Sequence, residues 1–273
     1  MKLLTDFDGV WTYPDEEGVA HGAALDAALE SALGEEERPA VRGWIAHARE
    51  ALRAEPLRWG WSVAGRISAF ADEDPFTEHG ALLHYLEAAS RAHVGGVRDV
   101  EARRGPGITA SAADAGRELL QGGVEVVVVS NSGTEKLKRW FDHAGLANRI
   151  HPEQAAGALR LRGSARKFVL APGGPDAIDG GGVIVDVARP HYEAVLREER
   201  PDAVVGDVFS LDLALPLALK RREPAWRHVR LFWLAHGYAP ERMRQAVASL
   251  PAGEVEIVER GLPGVADRLL GKA

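Results

Sequence analysis

The run "VEVVVVSNSG", residues 124–133, restricts the fold more than any other stretch of the chain. Four consecutive valines leave such a strand no polar side, so it must be covered on both faces, as in parallel sheets flanked by helices. From about residue 108 the chain keeps that rhythm. "ASAADAGRELLQGG" predicts a helix closed by glycines, and "TEKLKRWFDHAGL" a second one with Ser132 or Thr134 placed to cap it. Then follow "HYEAVLREER" as helix, "DAVVGD" and "VRLFWLA" as strands, "PERMRQAVASL" as helix and "EVEIVE" as strand. "LLTDFD" supplies the earliest strand. Strands alternating with helices of this length predict an α/β fold: a doubly wound, mostly parallel sheet with helices on both faces.

Residues 14–104 have a different texture. Leu25, Leu29 and Leu33 recur at helical spacing, and Val41, Trp44, Ile45, Ala48 and Leu52 share a helical face, as do Leu82, Leu83 and Leu86. With no buried-strand pattern, this segment is expected to be an inserted all-helical domain bordered by the "YPDEEG" and "RRGPG" turns, leaving 1–13 and 105–273 as the core domain. Between 157 and 188, three short strand-like runs separated by glycine-rich turns predict an extra antiparallel hairpin beside the sheet. The glycines at 180–182 complete neither a dinucleotide nor a P-loop fingerprint.

Composition removes several classes of function. The chain has no cysteine, which excludes disulfides and thiolate metal sites, and its net charge of -7 argues against nucleic acid and anionic membranes as partners. Too few apolar residues precede Asp6 for a signal-peptide core, and no run reaches the length of a membrane span. A soluble, cytoplasmic protein is the expectation; the charge says little about small ligands, and oligomeric state is not legible.

Ligands of open parallel sheets bind beyond the carboxyl ends of the strands. There the sequence places Asp6 and Asp8, then Ser130 with Asn131, then Asp207, with Asp212 five residues later. Alternation along the first strand sets Asp6 and Asp8 on one side and turns Phe7 to the other. Asp6, Asp8 and Asp207 at one sheet edge would repel one another unless neutralised, and an all-oxygen set suits a hard cation, foremost Mg²⁺. Each piece alone is commonplace: a D-x-D-G is usually a solvated turn, a strand-end serine usually a helix cap. Their joint occurrence at successive strand ends marks a site.

"DFDGVWT", "VVVVSN" and "VVGDVFSLD" resemble the first, second and fourth motifs of the haloacid dehalogenase-like hydrolase superfamily, whose members are mostly Mg²⁺-dependent phosphatases. The resemblance covers about two-thirds of the chain and implies a Rossmann-like core with a helical cap inserted after the first motif. It further implies Asp6 as nucleophile, Asp8 as general acid and base, and Ser130 and Asn131 as phosphate binders. Mg²⁺ would be held by Asp6, Asp207 and the backbone carbonyl of Asp8, with Asp212 behind it. The third motif calls for a cation near the start of the helix preceding the fourth-motif strand. Arg189, followed by Pro190, fits by position and is preferred; Lys167 in "ARKFVL" is the other candidate. The segment "LRWGWSVAGRISAF", with Trp59, Trp61 and Arg66, is a candidate leaving-group surface, although paired tryptophans as often pack between helices.

A hydrolytic dehalogenase on this fold has no use for a second acid at position 8. A phosphoglucomutase-like phosphotransferase would use the same residues, and a non-catalytic binding protein could retain them. A serine hydrolase lacks its G-x-S-x-G elbow, and no H-E-x-x-H occurs among the ten histidines.

Overall fold

The computed structural model describes residues 1–32, 38–89 and 107–272. They fall into two compact units, one made of Met1–Tyr13 and Gly107–Ala273, the other within Pro14–Pro106. The expected "RRGPG" border, the 104/105 boundary and Leu33 lie outside the described residues, Gly107 excepted.

The first unit opens with β1 (Lys2–Thr5). The second holds α1 (Pro14–Ala32), α2 (Arg38–Ala54), β2 (Gly60–Val63), β3 (Arg66–Phe70) and α3 (Pro75–Ala88). The first unit resumes with α4 (Ala110–Gln121), β4 (Glu125–Val129), α5 (Thr134–His143) and β5 (Leu159–Arg162). Next come β6 (Ala177–Asp179), β7 (Ile184–Asp186), α6 (Pro190–Glu199) and β8 (Ala203–Gly206). The chain closes with α7 (Ala214–Arg222), β9 (Arg230–Leu234), α8 (Glu241–Ala248), β10 (Glu256–Val258) and α9 (Gly261–Leu269).

Six strands form one sheet in the order β10-β9-β8-β1-β4-β5, and every neighbouring pair is parallel. Beyond β1 the chain builds outward through β4 and β5, then returns to the other side of β1 with β8 and builds outward again. Connections therefore leave β1 and β8 in opposite directions, which opens a crevice at their carboxyl ends. One residue past β1 the ladder continues, because the Asp6 amide donates to the Val205 carbonyl at 3.0 Å. Leu3, Phe7, Val126, Val128, Val205 and Phe232 share one buried cluster with residues of α4, α5 and α9. Leu4, Val127 and Val204, one step out of phase, are buried on the opposite face.

The inserted unit departs from the all-helical expectation. Its helices pack Leu25, Leu29, Val41, Ile45, Ala48, Leu52, Leu82 and Leu86 into one core, and α3 starts at a capping box in which Asp74 and Thr77 bond reciprocally. Between α2 and α3, however, β2 and β3 pair as an antiparallel hairpin. Ala64 and Gly65 both have positive φ, 52° and 74°, the mark of a two-residue hairpin turn whose twist matches the strands. Burial along the two strands does not alternate, so the hairpin leaves no period-two signal. Trp59 serves packing: its ring meets those of His84 and Tyr85 at centroid distances of 5.3 and 4.8 Å.

Two further expectations change in the first unit. Of the three strand-like runs between 157 and 188, the first is β5, an edge strand of the main sheet, and only β6 and β7 form the separate hairpin. The sequence "LRLR" alternates because an edge strand is not covered all round; Arg160 and Arg162 both reach the buried Glu199 on α6. The cap position of α5 is Gly133, with no side-chain bond, because Ser132 is drawn into the loop packing described below. Among the described residues, no helix is long and apolar enough to cross a membrane.

Phe7 holds the strand end in place. It is fully buried, with Trp140 edge-on at 5.4 Å and Phe141 at 5.9 Å. Phe7→Ala is expected to destabilise the chain by about 3–5 kcal/mol through loss of burial and the cavity left behind, measured by urea unfolding.

Candidate active site

The carboxylates of Asp6, Asp207 and Asp212 are all buried and offer oxygen atoms within 4.8 Å of one another. Asp6 leaves β1, Asp207 leaves β8, and these strands are neighbours with Thr5 opposite Val205. Gly9 makes the close approach possible. Its φ is 73°, and a β-carbon there would stand 2.0 Å from Asp207 Oδ2, so both the turn and the space require glycine. Asp212 arrives on the π-helical turn Phe209–Leu213, whose extra residue swings its side chain back so that Oδ2 accepts from the Val208 amide at 3.2 Å. Asp8 is half-buried and its carboxylate lies outside the trio.

The cation that meets these acids is Lys167. Its Nζ donates to Asp6 Oδ1 and to Asp212 Oδ1, each at 2.6 Å, in a position closed to solvent. A sharply folded loop brings it there. Ser164 and Arg166 both adopt left-handed conformations, φ 56° and 50°, unusual for residues with side chains. The loop is knitted onto the end of β4: Ser164 and Ala165 amides donate to the Ser132 and Ser130 carbonyls at 2.8 and 2.9 Å. Asn131 Oδ1 accepts from the Lys167 amide at 2.8 Å, and Ser130 Oγ accepts from the Ser132 amide at 3.0 Å. Asn131 therefore spends its carbonyl on seating Lys167.

The preference for Arg189 is corrected by this geometry. Arg189 is fully buried, and its guanidinium donates to backbone carbonyls, to Asp186 at 3.2 Å, Lys167 at 3.1 Å and Leu211 at 3.3 Å. It thereby ties the backbone of Lys167 to the residue before Asp212. Position near the start of α6 was the right signal for a buried cation and the wrong one for the ammonium on Asp6. Tyr192, one turn into α6, adds a hydroxyl bond to the Asp212 carbonyl at 2.9 Å.

Burial pushes the Asp6 carboxyl up to about 8, against the pull of Lys167 and with the repulsion of Asp212 and Asp8 added. Burial also opposes the charge on Lys167, but the carboxylates of Asp212 and Asp6 outweigh it and hold the ammonium well above its usual range. One ammonium set among three carboxylates leaves an excess of negative charge. A divalent cation would relieve it, and an all-oxygen donor set of this kind suits Mg²⁺.

Sequence reasoning missed the loop after β9. There Tyr238 donates its hydroxyl to Asp207 Oδ2 at 2.5 Å and His236 Nε2 donates to the Gly9 carbonyl at 2.5 Å, while Trp233 Nε1, from β9 itself, donates to the Asp207 carbonyl at 2.7 Å. The rule that picked out Ser130 and Asp207 was available for "HGYAP" too, since it follows the carboxyl end of a predicted strand.

No protein-family model matches the chain, and no curated protein does. Solved structures that align with it include a haloacid dehalogenase-like family hydrolase from Xanthomonas campestris, at 12% identity and TM-score 0.45, covering 100% of this chain and 98% of that one. A second is YfnB of Bacillus subtilis, a candidate HAD-hydrolase bound to magnesium, at 14% identity and TM-score 0.47 over 99% and 98%. A third is a haloacid dehalogenase-like family hydrolase from Streptococcus pneumoniae, at 11% identity and TM-score 0.47 over 97% and 96%. The functional reading rests on the residues of the site itself.

The raised Asp6 pKa fixes the sign of a pH effect. A carboxyl protonated in the folded chain and ionised in the unfolded one makes stability fall as pH rises from about 4 to about 8. Asp6→Asn removes that titration, so in EDTA the stability of the variant relative to the parent should climb across this interval. Urea melts at a series of pH values measure it, and a pH-independent difference would contradict the assignment.

Proposed function

We propose that the chain is a Mg²⁺-dependent phosphohydrolase of the haloacid dehalogenase-like type, cleaving a small phosphorylated metabolite through an aspartyl-phosphate on Asp6. The observation that carries this reading is the buried ammonium of Lys167 shared between Asp6 and Asp212 beside Asp207. It completes the constellation begun by the motifs around Asp6, Asp8, Ser130 and Asp207.

In this mechanism an Asp6 oxygen attacks phosphorus in line, and the new O–P bond forms as the bond to the leaving oxygen breaks. Asp8 delivers a proton to the departing alkoxide, then takes one from the water that hydrolyses the acyl phosphate, so the free acid is restored for the next cycle. Lys167 orients Asp6 and balances the charge that gathers on it and the phosphoryl group. Ser130 and the amides at the end of β4 would hydrogen-bond the phosphoryl oxygens, helped by the positive end of α5. Mg²⁺, held by Asp6, Asp207 and the Asp8 carbonyl with Asp212 in support, would supply neutralisation where one anion approaches another. Arg189 acts on the backbone, keeping Lys167 and Asp212 in register.

A generic aryl phosphate should be hydrolysed with Mg²⁺ and not in EDTA; equal rates in both would remove the cation from the reading. Lys167→Ala should lower kcat by roughly 100-fold or more, the scale for loss of one charge-stabilising donor. Retention of activity in a folded Lys167→Ala protein would contradict its role.

A further inference from the structure

The loop after β9 makes contacts at the acid cluster that the phosphatase chemistry leaves without a purpose. Its backbone is anchored from α8, where Arg244 Nη2 donates to the carbonyls of Ala235, at 3.1 Å, and of His236. From that anchor, two side chains reach two different strand exits. His236 Nε2 meets the Gly9 carbonyl at 2.5 Å, and because a carbonyl only accepts, the proton of this ring sits on Nε2. Tyr238 meets Asp207 Oδ2 at 2.5 Å. The rings lie nearly parallel, 29° apart with centroids at 5.3 Å, so each limits the movement of the other.

Asp207 is thus held at several points. Its carbonyl is fixed by Trp233 Nε1 at 2.7 Å, and its Oδ2 takes the Tyr238 hydroxyl while lying against Gly9, where a β-carbon would come within 2.0 Å. A carboxylate at the end of a strand has a rotatable side chain, and turning it would carry its oxygens away from those of Asp6 and Asp212. The hydroxyl sets the plane of the group, and the His236 bond sets the glycine turn against which that plane rests.

We infer that Tyr238, with His236 as its support, is a positioning residue that presets Asp207 for cation binding. The inference rests on the phosphohydrolase reading for its cation, but it concerns residues on which the motifs are silent. Tyr238 touches the ligand and not the reacting atoms; its effect is to remove the cost of ordering Asp207 when the cation arrives. Loss of a partner that orients a metal ligand weakens metal binding by about 10–100-fold.

The test is titration calorimetry of MgCl₂ into the EDTA-stripped full chain, with melting temperatures in EDTA recorded for every variant. Tyr238→Phe should bind Mg²⁺ at least about tenfold more weakly than the parent while melting at the same temperature in EDTA. His236→Ala should weaken binding as well, and His236→Gln, which keeps a donor for the Gly9 carbonyl, should restore it. Parental Mg²⁺ affinity in Tyr238→Phe would overturn the inference with the cation reading intact, as would a large drop in its EDTA melting temperature, which would make the hydroxyl a stability contact. A parent chain that takes up no Mg²⁺ would sink the cation reading itself and the inference with it.

Discussion

An ammonium group shut away from water between two carboxylates is the interaction on which the rest of the site depends. Taking Lys167, Asp6 and Asp212 out of solvent costs each of them its hydration, and only short, well-directed bonds return that energy. Removing one partner of such a group typically costs 3–5 kcal/mol, because it strands the other charge. The surroundings are built to keep the partners in place: a loop with two left-handed residues, the Asn131 carbonyl on the Lys167 amide, a π-helical turn under Asp212, and Arg189 joining the two backbones. Strain of this kind persists where the surrounding structure over-determines it.

The same interaction explains why the acid cluster is both tolerable and unfinished. Lys167 offsets part of the charge of Asp6, Asp207 and Asp212, and burial, joined by the repulsion of Asp212 and Asp8, still raises the Asp6 pKa. A fold needing only stability would do better with an apolar pocket at this place. Under the proposed function, carboxylates gathered at a topological switch point, with one lysine among them, would receive a divalent cation and an anionic group together.

Much of this was written in the sequence, and the exceptions have physical causes. The valine run of β4 and the similar run before Asp207 announced strands covered on both faces, with Ser130 at the end of the first and Asp207 at the end of the second. Phe7 faces away from Asp6 as alternation requires. The lysine was harder to place because β5, the strand before it, lies at the sheet edge and alternates Leu with Arg, so it read as part of a hairpin. Arg189 looked right because it precedes a proline at a helix start, but nothing in the letters says that a guanidinium will spend itself on carbonyls. The β2–β3 hairpin was hidden by strands of four and five residues without alternating burial, fixed by the turn at Ala64–Gly65. Tyr238 and His236 stand after the carboxyl end of a predicted strand, where the same rule reaches them, but they act through the residues they hold and carry no acid of their own to draw notice.

The nucleophilic role proposed for Asp6 can be tested directly on the protein after a single turnover. An acyl phosphate is reduced by borohydride to an alcohol, whereas a free carboxylate is not. Rapid quenching of the chain with borohydride during hydrolysis of an aryl phosphate, followed by peptide mass spectrometry, should convert residue 6 from aspartate to homoserine. Conversion at a different residue, or none while phosphate is being released, would contradict the aspartyl-phosphate mechanism.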